Sequence, residues 1–493
     1  MDRPKYLYEA NTQLLLKRFS EKYHQLLRLS TVPRQEWLSI HDRGFDLVWL
    51  MGVWQRSPAA RQKSLADPVL RQAYDRALPS WTDDDVAGSP YAIYSYTLDI
   101  TLDEPKNLAA LKSSLNDCGL GLILDFVPNH VALDHHWTVS HPEWFVQGKE
   151  RDIITHPDWF YRSEDGSYLA HGRDSNFPPW TDTAQLNLFS PDLRKALISK
   201  LKDISRFADG FRCDMAMLAL GDVFERVWGD MVKDHQKPEI DFWAEVIEQV
   251  KNKQPNLLFI AEAYWGLERT LQNMGFDFTY DKVLYDDLRF SNSPEIFQYL
   301  IANDSFLQHS VHFVENHDEP RAINPFGRDR SLAAAVVAAT IPGLCLIHDG
   351  QCEGRRKYQP IQLLREPEEP DYTEIMRFYD RLLLACNVPA IRNGEWTFIQ
   401  PVQAWEGNMS YRNILAWCWE YHEDFIVVAV NYSPDRSQAL LRISIPSYNS
   451  DMVELLDELT GETYLRNQKE LSSHGLYVDL ASYQSHFFSI KHG

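Results

Sequence analysis

Four short apolar runs, each ending in polar residues able to do acid–base chemistry, constrain this chain more than anything else in it. They are Leu122-Ile123-Leu124-Asp125-Phe126-Val127-Pro128-Asn129-His130, Ala208-Asp209-Gly210-Phe211-Arg212-Cys213-Asp214, Phe259-Ile260-Ala261-Glu262-Ala263 and His312-Phe313-Val314-Glu315-Asn316-His317-Asp318. Runs of this length bounded by turn formers read as strands buried on both faces, the pattern of a parallel sheet. Acids, bases and imidazoles just past such strand ends are what a parallel barrel places on its catalytic face.

The rest of the chain organises around these runs. From Tyr6 to about His130, strand-like runs alternate with helical stretches such as residues 106–118 before Gly119, which indicates βα units. Between residues 131 and 190 the rhythm breaks down in a stretch rich in Trp, His, Asp, Gly and Pro. A connection that long in a compact domain implies a function of its own. The βα rhythm resumes at Pro191 and runs to about Asn387. Beyond Asn393, β-prone runs such as Phe425-Ile426-Val427-Val428-Ala429-Val430 predict an antiparallel sandwich. The chain of 493 residues is too long for one core. The expected domains are a barrel over residues 1–130 and 191–392, an inserted subdomain over 131–190 and a β-sandwich over 393–493. No internal repeat is evident.

Bulk properties exclude several function classes. Lys and Arg total 49 against 70 Asp and Glu, a formal charge of −21. That surface repels phosphate backbones and argues against nucleic acid as a partner. No apolar run approaches the roughly 20 residues that span a bilayer. The start, Met1-Asp2-Arg3-Pro4-Lys5, has no signal-peptide pattern, and the six cysteines form no CxxC pair. The expectation is a cytoplasmic protein with free thiols and a small, neutral substrate.

The order and spacing of the four runs resemble the signature stretches of the α-amylase superfamily of retaining α-glycoside hydrolases. Further stretches extend the resemblance: Tyr8-Glu9-Ala10-Asn11 to the first barrel strand, Gly44-Phe45-Asp46-Leu47-Val48-Trp49-Leu50 to the second, Gly275-Phe276-Asp277-Phe278 to the sixth and residues 342–350 to the eighth. The resemblance implies an α/β fold: a (β/α)8 TIM barrel with an irregular subdomain inserted after strand 3 and a C-terminal antiparallel β-sandwich. It implies a retaining α-glycoside hydrolase acting by double displacement on a small α-glucoside or short α-glucan. A transglycosylase or phosphorylase would use the same covalent glycosyl-enzyme intermediate. By motif, Asp214 is the nucleophile, Glu262 the general acid/base and Asp318 the third carboxylate. Arg212 holds the nucleophile, and His130 and His317 bind hydroxyls of the cleaved sugar. Tyr91 stacks on that sugar, with Tyr94 as the alternative. With the first barrel strand at the start of the chain, no N-terminal carbohydrate-binding domain is expected.

Crowded carboxylates and burial should keep Glu262 protonated near neutral pH. Three features depart from the resembled pattern. After Asp214 the chain has Met215-Ala216-Met217-Leu218 where a Lys-His pair is common, which implies an apolar acceptor side suited to a short leaving group. In Thr183-Ala184-Gln185-Leu186-Asn187, Gln185 replaces an Asp that often ligates calcium; no cofactor is expected, with Asn129 the residue left for a structural calcium. Arg355, Arg356 and Lys357 form a basic cluster after the eighth strand, either a solvated turn or an anion contact.

Overall fold

The apolar runs pair side by side in the computed structural model, which describes residues 4–163, 165–232, 235–445 and 451–492. The barrel strands are β1 (Tyr6–Asn11), β2 (Leu47–Met51), β3 (Gly121–Phe126), β4 (Gly210–Cys213), β5 (Leu258–Ala261), β6 (Phe278–Tyr280), β7 (Ser310–His312) and β8 (Leu344–His348). They are parallel and close into a barrel, β1 pairing with both β2 and β8. Every residue of β2, β3, β4 and β8 is buried, because one face fills the barrel and the other meets the helix ring. This is why these strands read as continuous apolar runs rather than alternating ones.

Register turns that architecture into a site. Arg212 lies opposite Ile260 and Cys213 opposite Ala261, so Asp214 and Glu262 each follow as the next residue of neighbouring strands. On the other side of β4, Arg212 lies opposite Asp125. Glu9 shares its row with Trp49 of β2 and His348 of β8.

The βα rhythm resumes at Pro191 for a local reason. The Ser190 hydroxyl accepts from the Leu193 N–H at 3.4 Å and proline occupies the first turn, a cap and a preset φ that start a helix. That helix, Pro191–Ser205, buries Leu193, Leu197, Ile198, Leu201 and Ile204 along one stripe.

Residues 131–190 form short two-stranded pieces, His130–Ala132 with Thr183–Gln185 and Phe160–Arg162 with Tyr168–Ala170. The stretch also holds a motif twice, contrary to the expectation of no repeat. His141-Pro142-Glu143-Trp144-Phe145 and His156-Pro157-Asp158-Trp159-Phe160 each make a single 3-10 turn, with the imidazole stacked on the indole at 3.9 Å. Five residues are too few to register as a repeat by period.

The C-terminal part forms two antiparallel sheets of six and three strands. Along the strand Ile414–Tyr421, Leu415, Trp417 and Trp419 pack with the barrel core, while Ile414 and Ala416 pack into a second core shared with the smaller sheet. Burial on both faces explains the unbroken apolar run at Phe425–Val430. The Trp419 indole N–H donates to the Thr340 carbonyl at 2.7 Å, and the Tyr432 hydroxyl to the Leu288 carbonyl at 2.5 Å, which fixes the sheet to the barrel. Among the described residues no helix is long and apolar enough to cross a membrane, and all six cysteines are unpaired.

Candidate active site

The floor of a cleft at the C-terminal ends of the barrel strands is organised around one guanidinium. Arg212, 1% exposed, bonds Asp214 Oδ1 through Nη1 at 2.6 Å and Glu262 Oε2 through Nη2 at 2.7 Å. Trp49, Tyr91 and Tyr280 surround it, with ring centroids 5.1, 5.0 and 5.8 Å away. One planar fork spanning both acids holds them at the close spacing that a nucleophile and an acid/base require.

Glu262 is gripped from above as well. The Met215 N–H donates to its Oε2 at 2.6 Å, and the Tyr264 hydroxyl to its Oε1 at 2.9 Å. Met215 turns its amide that way by adopting a φ of 42°, a left-handed conformation rare for a side chain of its kind. Burial raises the Glu262 carboxyl, Arg212 opposes the rise, and Asp214 and Asp318 add to it; the balance is about 7. Burial also raises Asp214, against the pull of Arg212. The two acids share a counter-ion, so ionising one makes the other harder to ionise and their protons leave in two steps. Beneath them Asp125, pushed by burial up to about 6, accepts from the Trp49 indole at 3.1 Å and the Gly52 N–H at 3.0 Å. Gly52 has a φ of 76°, and a Cβ there would lie 2.8 Å from Pro90.

The third carboxylate stands apart from this pair. Asp318 has a side chain 46% exposed to the cleft and lies 3.0 Å from His317 Nε2. Burial by the cleft walls would raise it, but His317 takes it below the usual range. His317 Nε2 is 2.9 Å from the Tyr91 hydroxyl, and the two rings stack at 5.5 Å. His130 contrasts with it. Buried against Trp180 at 5.1 Å, it is pushed down to about 4 by that burial, so it stays a neutral imidazole.

The cleft above has a volume of about 1070 Å³. Tyr91, His130, Asp214, Glu262 and Asp318 line it, whereas Arg212 and His317 sit one layer beneath; Tyr94 does not line it. Residues that sequence reasoning missed complete the walls. Phe177 and Trp180 come from the inserted stretch, Tyr264 and Trp265 from the loop after β5, and Val283 from the first turn of the helix Lys282–Phe290 after β6. Trp265, 42% exposed with a φ of 67°, precedes Gly266 at φ 73°. That double left-handed turn is a cost in backbone energy that presents the indole to the cleft. No sequence period marks it.

Three expectations need correction or completion. Of the apolar stretch after Asp214, only Met215 reaches the cleft; Ala216, Met217 and Leu218 are core. Arg355 is bound to the Glu369 carbonyl and, at 3.2 Å, to Asp371, while the backbone N–H groups of Arg356 and Lys357 donate to Glu369. None of the three lines the cleft, so the cluster is a turn. At the position considered for calcium, the Gln185 side-chain NH2 donates to the Asn129 carbonyl at 2.8 Å, Asn129 Oδ1 at 3.0 Å and the Leu186 carbonyl at 3.1 Å. An amide has taken the oxygens a cation would need, and the residues do not fit a calcium ion. Among the described residues no group of three His, Cys, Asp or Glu could hold a metal.

Comparison with known proteins agrees with this geometry. The family model described as alpha amylase, catalytic domain, matches residues 91–381. An alpha-amylase MalA of Haloarcula japonica is 25% identical over 249 residues, 49% of this chain and 33% of its own. An alpha-1,4-glucan:maltose-1-phosphate maltosyltransferase of Rhodospirillum rubrum is 24% identical over 326 residues, 63% of this chain and 40% of its own. The chain thus spans less than half of the length of these two curated relatives. The crystal structure of a noncanonic maltogenic alpha-amylase AmyB from Thermotoga neapolitana superposes with a TM-score of 0.68 at 19% identity, covering 98% of both chains.

Proposed function

The chain belongs to the alpha-amylase catalytic-domain family, and from that premise we propose that it is a retaining α-glycoside hydrolase acting on small α-glucosides or short α-glucans. The observation that carries the reading is the Arg212 fork that holds Asp214 and Glu262 together, with Glu262 at about 7. In the first half-reaction Asp214 Oδ attacks the anomeric carbon while Glu262 gives its proton to the leaving oxygen. Arg212 stays bound to Asp214 as the carboxylate electron pair forms the bond to the anomeric carbon and the bond to the leaving oxygen breaks, so that the negative charge ends on Glu262. Asp318 faces the open cleft and stabilises the positive charge that develops on the ring. Glu262, now ionised, takes a proton from water, and the hydroxide displaces Asp214 with overall retention.

Hydrolysis is favoured over phosphorolysis by the charge of the walls. Asp67, Asp174, Asp182, Glu268, Asp286 and Glu319 join the three catalytic acids there, against Lys63 and Lys282. Lys282 is already paired with Asp286 at 2.6 Å, so a phosphate ion meets a repulsive cleft. Transfer to a neutral sugar is the second reading, favoured by the Trp265 indole presented on the loop after Glu262. Six unpaired thiols support action in a reducing compartment such as the cytoplasm.

The test is a product assay on small α-glucosides and maltooligosaccharides, with and without phosphate, and with Asp214→Asn as the blank. Release of free sugar, indifferent to phosphate and absent in D214N, is expected. A sugar phosphate, or undiminished turnover by D214N, would contradict the reading.

A further inference from the structure

His317 has a carboxylate facing each of its two ring nitrogens, and one of the two comes from a residue with no part in the reaction above. Glu9 of β1 is completely buried. Its Oε1 is in close contact with His317 Nδ1, and its Oε2 has no protein hydrogen-bond partner among the described residues. On the far side of the ring, Nε2 lies 3.0 Å from Asp318 Oδ2 and 2.9 Å from the Tyr91 hydroxyl. A neutral imidazole has one N–H and one lone pair. A lone pair on Nδ1 would face Glu9 Oε1, so Nδ1 carries a proton. A lone pair on Nε2 would accept from the Tyr91 hydroxyl but would also lie 3.0 Å from Asp318 Oδ2. A carboxylate on each side of the ring favours the doubly protonated form. The ring has no other place to go: Trp49 meets its edge at 5.4 Å and Tyr91 covers a face.

We propose that Glu9 is a positioning residue that locks His317 as an imidazolium, with its Nε2–H fixed on Asp318 at the edge of the cleft. The consequence for catalysis rests on the glycosidase reading given above; the charge state itself does not. Around His317 the carboxyls of Glu9 from β1, Asp125 from β3, Asp214 from the end of β4 and Asp318 beside it all bear on the ring. The neighbouring cation is otherwise engaged, Arg212 with Asp214 and Glu262. Burial lowers His317, but Asp318 and Glu9 more than offset it and bring it up to about 10. A permanent positive charge there lets Asp318 remain an anion in the same cleft that keeps Glu262 protonated.

The experiment is a pH titration of the full chain labelled with 15N-histidine, the His317 signals being identified by their loss in His317→Gln. In the wild type, both ring nitrogens should keep imidazolium shifts up to about pH 9. In Glu9→Gln the amide oxygen still accepts from Nδ1–H but carries no charge, and the midpoint should fall by roughly one unit or more. A wild-type His317 that is neutral at pH 8, or a midpoint unmoved in E9Q, overturns the proposal. The wild-type titration decides the charge state even if E9Q fails to fold, and it needs no substrate, so a failure of the glycosidase reading stays distinguishable. The same titration separates positioning from packing: a Glu9 that only supported the fold would leave the His317 midpoint where it is in E9Q.

Discussion

The floor of the cleft is made of strand ends, and its charged groups are sealed from solvent: Arg212, Asp214, Glu262, Glu9 and His317 are each 5% exposed or less. The wall is made of loops and helix starts, and several of its apolar side chains stand out in solvent, Phe177 at 67%, Val283 at 45% and Trp265 at 42%. On the floor, barrel register dictates each position and every charge is the counter-ion of another. Removing one group therefore leaves its partner buried and uncompensated. On the wall, ion pairs such as Lys282–Asp286 are part-exposed, and water can replace a lost partner. The contrast teaches that chemistry here is a property of the barrel, while selection of the leaving group is a property of loops that can change without cost to the fold.

Losses should therefore shrink on passing from floor to wall. The largest is expected for Asp214→Asn, which should lower kcat by roughly four orders of magnitude or more while the chain still folds, because Arg212 keeps Glu262 as a counter-ion, measured by steady-state kinetics beside calorimetry. Arg212→Met should cost stability as well, about 3–5 kcal/mol in denaturant unfolding, because two buried acids lose their counter-ion. A variant as stable as the wild type would break the comparison on its floor side. The pH profile is a milder probe. Glu262 must be protonated to act, so kcat/KM should decline as pH rises through about 7. Tyr264→Phe removes a donor that favours the ionised form, and should move that limb to higher pH. On the wall, Trp265→Ala should lower kcat/KM by about tenfold, mostly in KM and unequally among leaving groups, with no change in thermal midpoint. The smallest effect is expected from EDTA, which should leave the midpoint unmoved because the Gln185 amide stands where a cation would.

How much of this was legible in the sequence follows the same division. That Asp214, Glu262 and Asp318 would meet in one cleft was readable because strand ends in a parallel barrel converge, their roles being what the resemblance implies, and the contact of Arg212 with Asp214 because it sits two residues away on the same side of its strand. Glu9 was not, since an acid near a strand end is unremarkable until the fold brings His317, 308 residues away, against it. Tyr264 and Trp265 were hidden for another reason. Their role depends on a left-handed turn that no apolar period announces. The Met-Ala-Met-Leu stretch was over-read, because a 3-10 turn rotates all but Met215 into the core. The paired His-Pro-acid-Trp-Phe turns were overlooked because five residues are too few to show as a period.

The central claim is that Asp214 becomes covalently bonded to the sugar. The direct measurement is incubation with a 5-fluoro-α-glucosyl fluoride, which slows release of the intermediate, followed by mass mapping of proteolytic peptides. The account predicts one added sugar per chain, on the peptide containing Asp214, and none in D214N. A sugar carried by Glu262 or Asp318 instead, or turnover of the fluoride with no adduct at any time, would contradict it.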